Sequence, residues 1–282
     1  SVPAGTYSES LLIDKSVSVV CVVNAACTID ARGIDNRAVQ ITATSATLNG
    51  FIIPGDETMM AGVVLTPTSS FSTVSNNIIY GMSLPNPSND SPLSYGVLAY
   101  GESASNMPMN LSIQYNDISG VSGSAISLGD YTYGAEISGN SLHDIIPVQF
   151  MDQDFSAGIQ AQFAGALNIE NNMFSNLIIA ASLPLCEASM ADNNYGGLIG
   201  SYLTTTSPNG ILFNDSVSYW AVQSSIEGLG ITLESFASSL ELAVSVADSG
   251  SVINGSDGTE TIQDCAATWG GTAQVDSCDV CS

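Results

Sequence analysis

After Arg37 the chain contains neither lysine nor arginine. Its three such residues, Lys15, Arg32 and Arg37, face 27 aspartates and glutamates, and the formal net charge is -24. A surface that binds phosphates needs clustered cations, so nucleic-acid binding is excluded. Anionic sugars and anionic membranes are repelled for the same reason. Histidine occurs once, as His143, which argues against a mixed Cys/His zinc site. No apolar run reaches the roughly 18 to 20 residues of a membrane span, so membrane insertion is not expected. The sequence opens at Ser1-Val2 in mid-pattern without a leader, which reads as a mature or trimmed N-terminus.

Hydrophobic residues make up 45% of the 282, enough for a large core in one elongated domain or two compact ones. The carboxylates form a solvating surface, and Ca²⁺, which prefers oxygen ligands, is the candidate cofactor for them. Six cysteines without partner histidines read as disulfides made in an oxidising compartment, hence an extracellular or cell-surface location. Cys21 and Cys27, six residues apart, are expected to pair. Cys265 is expected to pair with Cys278 or Cys281, and Cys186 stands alone. Asn89, Asn110, Asn214 and Asn254 open N-x-S/T sequons.

The chain repeats itself. One hexad recurs as LNGFII from Leu48, VSNNII from Val74, IQYNDI from Ile113, ISGNSL from Ile137 and IENNMF from Ile169. Its fourth position is Asn77, Asn116, Asn140 and Asn172 in four copies and Phe51 in the first. A short strand precedes each copy: AVQI (38–41), GVVL (62–65), GVLA (96–99), AISL (125–128) and GIQA (158–161). Each unit therefore reads as strand, turn, strand, Asn bend, strand, with the period-two alternation of half-buried strands. Such a unit cannot bury its apolar face alone, but a stack of them can. The asparagines suit a tight bend, because Asn tolerates left-handed backbone, and stacked amides can bond along the solenoid.

This pattern resembles the right-handed parallel β-helix superfamily, which includes pectin-degrading enzymes and many bacterial surface proteins. The opening VPAGTYSESLLIDKSVSVVC is similar to the first rung of such proteins, with Gly5, Thr6, Tyr7, Glu9, Ile13 and Lys15 at the matching places. The resemblance covers roughly residues 1–180. It implies an all-β, right-handed parallel β-helix, and on function it implies little.

Beyond the repeats, LESFASSLELAVSVADSG from Leu233 reads as an amphipathic helix, with Leu233, Phe236, Leu240, Ala243 and Val244 near one face and Gly250 as its stop. The following SVINGSDGTETI loosely echoes the opening segment, so helix and strand together look like a rung cap. The last stretch, DCAATWGGTAQVDSCDVCS, resembles the acidic Cys-rich repeats related to thrombospondin type 3 repeats. That resemblance implies Ca²⁺ on Asp264, Asp276 or Asp279. The expected organisation is a β-helix over 1–225, a cap or inter-subunit element over 226–262 and a Cys-rich tail over 263–282.

For function, the family's lyases and esterases imply a basic residue, which is missing after Arg37. A glycosidase needs only two carboxylates at a suitable separation, and Asp117, Asp130, Asp144, Asp152 and Asp154 could supply them by stacking across rungs. Nothing in the sequence selects a pair, and His143 reads as an ordinary bend residue. The expectation is therefore a non-catalytic extracellular structural or adhesive protein. It self-associates head to tail through its uncapped first rung, as a filament or tandem array. The alternatives are a carbohydrate- or calcium-dependent binding module, with a glycan held by the loop insertions at Gly81, Tyr100 and Ile145, and a polysaccharide-degrading glycosidase.

Overall fold

The structure is a computed structural model. It describes residues 1–85, 93–150, 153–196 and 198, and beyond these the strands 201–205, 210–215, 220–224, 231–235, 242–246, 252–254 and 260–262. The chain is all-β and winds as a right-handed parallel β-helix, three strands to a coil.

Sheet 1 takes the strand that opens each repeat: Leu11–Ile13, Arg37–Ile41, Ala61–Leu65, Ser94–Ala99, Gly123–Leu128, Ala157–Ala161 and Ile179–Ser182. Sheet 2 takes the strand before the asparagine bend: Ser18–Val20, Thr47–Asn49, Thr73–Ser75, Ser112–Gln114, Glu136–Ser138, Leu167–Glu170 and Glu187–Ala191. Sheet 3 takes the strand after it: Gly5–Tyr7, Cys27–Ile29, Phe51–Pro54, Ile78–Tyr80, Asp117–Ser119, Ser141–His143 and Met173–Ser175. Neighbours within each of these series pair in parallel.

The anchors of the repeat stack as one inward column. Leu48, Val74, Ile113, Ile137, Ile169 and Met190 are register partners on successive coils of sheet 2, and all are fully buried. Each such burial stabilises by about 2 kcal/mol, and only the stack makes it available. In sheet 1 two consecutive residues face inward. One is aliphatic, as at Val63, Val97 and Ile126. The residue before it is small: Ala38, Gly62, Gly96, Ala125, Gly158 or Ala180. A methyl group on Gly62 would lie 2.5 Å from Ile79 Cγ2, and one on Gly158 would lie 2.5 Å from Phe174 Cδ1. The small column is thus the space into which sheet 3 packs its large side chains.

Asn77, Asn116, Asn140 and Asn172 sit at the bends between sheets 2 and 3, each about 1% exposed. Asn116 Nδ2 donates to Asn140 Oδ1 at 3.0 Å and to Val74 O at 2.9 Å, while its own Oδ1 accepts from Asn77 Nδ2 at 3.0 Å. The ladder runs on to Asn193, which accepts from Asn172 N at 3.0 Å and Nδ2 at 3.1 Å. Asn193 escapes the sequence pattern because its anchor is Met190 rather than Ile, Leu or Val. Cys21 and Cys27 form a disulfide with their Cα atoms 5.7 Å apart, closing the short bend between Ser18–Val20 and Cys27–Ile29. Cys186 is a free thiol, fully buried. Cys265, Cys278, Cys281, Asp264, Asp276 and Asp279 lie outside the described residues.

One expected element is corrected. Ile231–Ser235 and Leu242–Val246 are strands, not parts of a helix running from Leu233. They pair in parallel with Gly210–Asp215 and Trp220–Ser224 and so extend sheets 2 and 1. The open edge of the preceding coil supplies backbone partners, and tertiary pairing overrides a weak helical period. Val252–Asn254 then pairs in parallel with Ile231–Ser235 and antiparallel with Glu260–Ile262. Among the described residues no helix is long and apolar enough to cross a membrane.

Candidate active site

The outer faces of the three sheets differ in chemistry. The described strands of sheet 1 carry no aspartate, glutamate or histidine at all. Sheet 3 carries two such residues, Asp117 and His143, on consecutive coils. Asp117 opens its strand directly after the Asn116 bend. His143 ends the next strand and faces outward, because Leu142 beside it faces the core. Asp144 follows in left-handed backbone, φ 53°, a conformation that Asp adopts more readily than most residues.

This geometry brings three side chains together. His143 Nε2 lies 2.8 Å from Asp117 Oδ1 and His143 Nδ1 lies 2.7 Å from Asp144 Oδ2. Asn176 Nδ2, from the next coil, donates to Asp144 Oδ1 at 2.6 Å. Partial burial disfavours the charged imidazole, but the hydrogen bonds to Asp144 and Asp117, and their charges, outweigh it and raise its pKa above the ordinary value. The Asn176 amide and the His143 ring hold the Asp144 carboxyl below the usual carboxylate range. The group is open to solvent, with the His143 side chain 29% exposed and the two carboxylates more so. Tyr80, Ser119, His143 and Ser175 are register partners along the same face, so the exposed Tyr80 ring stands two coils away, roughly 10 Å at one strand spacing per coil.

Of the five aspartates that could supply a carboxylate pair, Asp117 and Asp144 are therefore neighbours. Asp130 lies at the opposite corner, where sheet 1 turns into sheet 2, and its carbonyl accepts from Gly101 N. Asp154 lies on a short hairpin, Val148–Phe150 with Gln153–Phe155, and is bonded by Gln149. Asp152 lies outside the described residues. Asn176 carries no sequence signal for its part, since its partner is 32 residues away. Two of the basic residues are occupied near the N-terminus: Arg32 pairs with Asp30 at 2.7 Å and Arg37 with Asp35 at 3.5 Å. Among the described residues no group of three or more His, Cys, Asp and Glu is placed to hold a metal ion.

A second feature occupies the corner between sheets 1 and 2. The insertion at Tyr100 contributes Ala104 and Met107 to a cavity of about 290 Å³, whose lining includes Tyr131, Tyr133 and Phe163.

No protein family and no curated protein matches this sequence. Solved structures do match its fold. An alginate lyase from Paenibacillus sp. str. FPU-7 superposes with a TM-score of 0.57 at 12% identity, over 88% of this chain and 90% of that one. A DFA-IIIase from Arthrobacter chlorophenolicus A6, in complex with GF2, superposes with a TM-score of 0.51 at 13% identity, over 91% of this chain and 77% of that one. Both of these matches are enzymes by name, which runs against the expectation of a non-catalytic structural or adhesive protein. That expectation stood on the absence of lysine and arginine after Arg37 and on no carboxylate pair being selected by the sequence. The coil brings Asp117 and Asp144 to either side of His143. At such low identity the likeness establishes the fold alone: this chain is a right-handed parallel β-helix.

Proposed function

We propose that this chain is an extracellular glycan-degrading enzyme, a glycoside hydrolase of neutral polysaccharides, whose acid–base group is Asp117, His143 and Asp144. The observation that carries the reading is the bridging of His143 between two carboxylates from successive coils on an open face. Asp144, kept ionised by Asn176 and His143, is suited to accept a proton from the attacking water and to stabilise positive charge on the sugar. The His143–Asp117 pair shares a proton that can pass to the departing glycosidic oxygen. The water oxygen bonds to the anomeric carbon as the glycosidic bond breaks, and one proton is taken up and one released. Tyr80 offers an aromatic face along the same row for a neighbouring sugar.

The neutral substrate follows from charge. With a net charge of -24, no lysine or arginine after Arg37 and Arg32 engaged by Asp30, the chain holds a uronic acid poorly at this face. The extracellular setting is supported by the Cys21–Cys27 disulfide. The test is release of reducing ends from a panel of neutral polysaccharides, namely xylan, mannan, β-glucan and fructan. Release from at least one is expected, with a loss of about 100-fold or more in Asp144→Asn and in His143→Gln. No release from any of them, or undiminished release by both variants, overturns the assignment.

A further inference from the structure

We infer that the corner between sheets 1 and 2 is a separate binding site for a neutral glycan chain. Tyr131 and Phe163 occupy successive coils there, with ring centroids 6.0 Å apart and planes 15° from parallel. Both hold left-handed backbone, φ 63° and 52°, which for bulky side chains is rare. Tyr133 adds a third ring, and Phe163 and Tyr133 are 45% and 43% exposed. These partly exposed rings line a cavity of about 290 Å³.

The rings are set in place before any ligand arrives. Tyr133 lies across Gly165, where a methyl group would come within 2.9 Å of its Cδ2. Its backbone is clamped between coils, Tyr133 N donating to Pro108 O at 3.3 Å and Gly165 N to Thr132 O at 3.0 Å. Met107, from the insertion at Tyr100, is part of the lining. Glu187 stands at the rim, exposed, as a hydrogen-bond acceptor.

The occupant follows from this chemistry. Flat aromatic faces stack on the C–H faces of sugar rings, while the phenol groups and the carboxylate meet hydroxyls. Tyr131 and Phe163, on successive coils with centroids 6.0 Å apart, and Tyr133 beside them give a glycan chain more than one ring to meet. A cavity at the small end of the ligand-site range of about 300 to 1,000 Å³ suits sugar rings rather than a folded partner. Glu187 at the rim and the overall acidity refuse an anionic polymer. Sheet 2 separates this corner from the Asp117–His143–Asp144 face, so the site stands whether or not the chain hydrolyses what it binds.

Affinity electrophoresis of the full chain through gels containing xylan, mannan, β-glucan or fructan, with alginate as the anionic control, tests the inference. Retardation by at least one neutral polymer and none by alginate is expected. Tyr133→Ala and Phe163→Ala are each expected to weaken that binding tenfold or more, with circular dichroism unchanged. Tyr131→Phe, which keeps the ring, is expected to stay within threefold and serves where an alanine variant does not fold. The aromatic variants are also assayed for release of reducing ends, so loss of binding and loss of hydrolysis are told apart. Retardation by alginate alone, by no polymer, or undiminished in the aromatic variants overturns the inference.

Discussion

His143 Nε2 and Asp117 Oδ1 are 2.8 Å apart across 26 residues of sequence and a single step of the coil. The solenoid converts a distance along the chain into a contact. Asp117 and Ser141 are register partners, so the side chain two residues beyond Ser141 meets the carboxylate of the previous coil diagonally.

A pH dependence follows. The folded-state pKa of His143 lies above its ordinary value of 6.5, so its contribution to stability is fully present below that pH and is lost as pH rises through the folded value. The stability difference between the parent and His143→Gln should be larger at pH 5.5 than at pH 8.5. Urea unfolding at both values measures it, and an NMR titration of the single histidine should give a midpoint above 6.5. A midpoint below 6.5 would contradict the bridging geometry.

Asn140→Ala should destabilise the chain strongly. It removes the acceptor of Asn116 N at 2.9 Å and Nδ2 at 3.0 Å, and the donor to Ile113 O at 2.9 Å, all out of reach of water. Stranding buried polar groups costs about 1 to 3 kcal/mol each, so a loss of about 3 kcal/mol or more is expected in chemical denaturation. Asn106→Ala, on the exposed insertion, should cost less than about 0.5 kcal/mol. Equal effects would show that the ladder does not stabilise the coil.

Gly158→Ala adds one methyl group 2.5 Å from Phe174 Cδ1 and 2.9 Å from Ala180 O. The carbonyl belongs to the neighbouring strand and cannot move away freely. Overpacking of about 1 to 3 kcal/mol is expected, read as a lowered melting temperature. Pairing it with Phe174→Leu should recover part of that loss, and a double variant no better than the sum of the two single ones argues against this contact as the cause.

The cysteines should behave differently from one another. Burial pushes the Cys186 thiol up to about 12, so the peptide containing it should resist alkylation in the native chain at pH 8 and react once the chain is unfolded. Replacing Cys21 and Cys27 together by serine opens a short loop and should cost about 2 kcal/mol by loop entropy. Mass spectrometry of alkylated peptides and urea unfolding report the two effects, and rapid native labelling at Cys186 would contradict its burial.

Much of the fold could be read before any coordinates. Ile113, Ile137 and Ile169 recur with an asparagine three residues on, and a repeat of that kind has few ways to bury its apolar side other than stacking. The exceptions have local causes. Asn193 follows a methionine anchor, so the pattern hides it. The stretch from Leu233 has apolar spacing compatible with either period, and the neighbouring coil's free backbone decides for strand.

What the sequence by itself determined is the repeat: the period of the strands, the bend residue, the inward column from Leu48 to Ile169, and an acidity that turns away anionic partners. These are local or compositional properties, carried by each residue whatever its neighbours in space. What only the tertiary structure decided is which coil lies against which. Insertions of different lengths make the repeats unequal, so the residue that meets His143 cannot be counted off along the chain. Parallel pairing sets Asp117 beside it, Asn176 behind Asp144 and Tyr131 over Phe163. Hydrogen bonds and stacking act over a few ångströms in space, and only the closed coil brings residues tens of positions apart within that range.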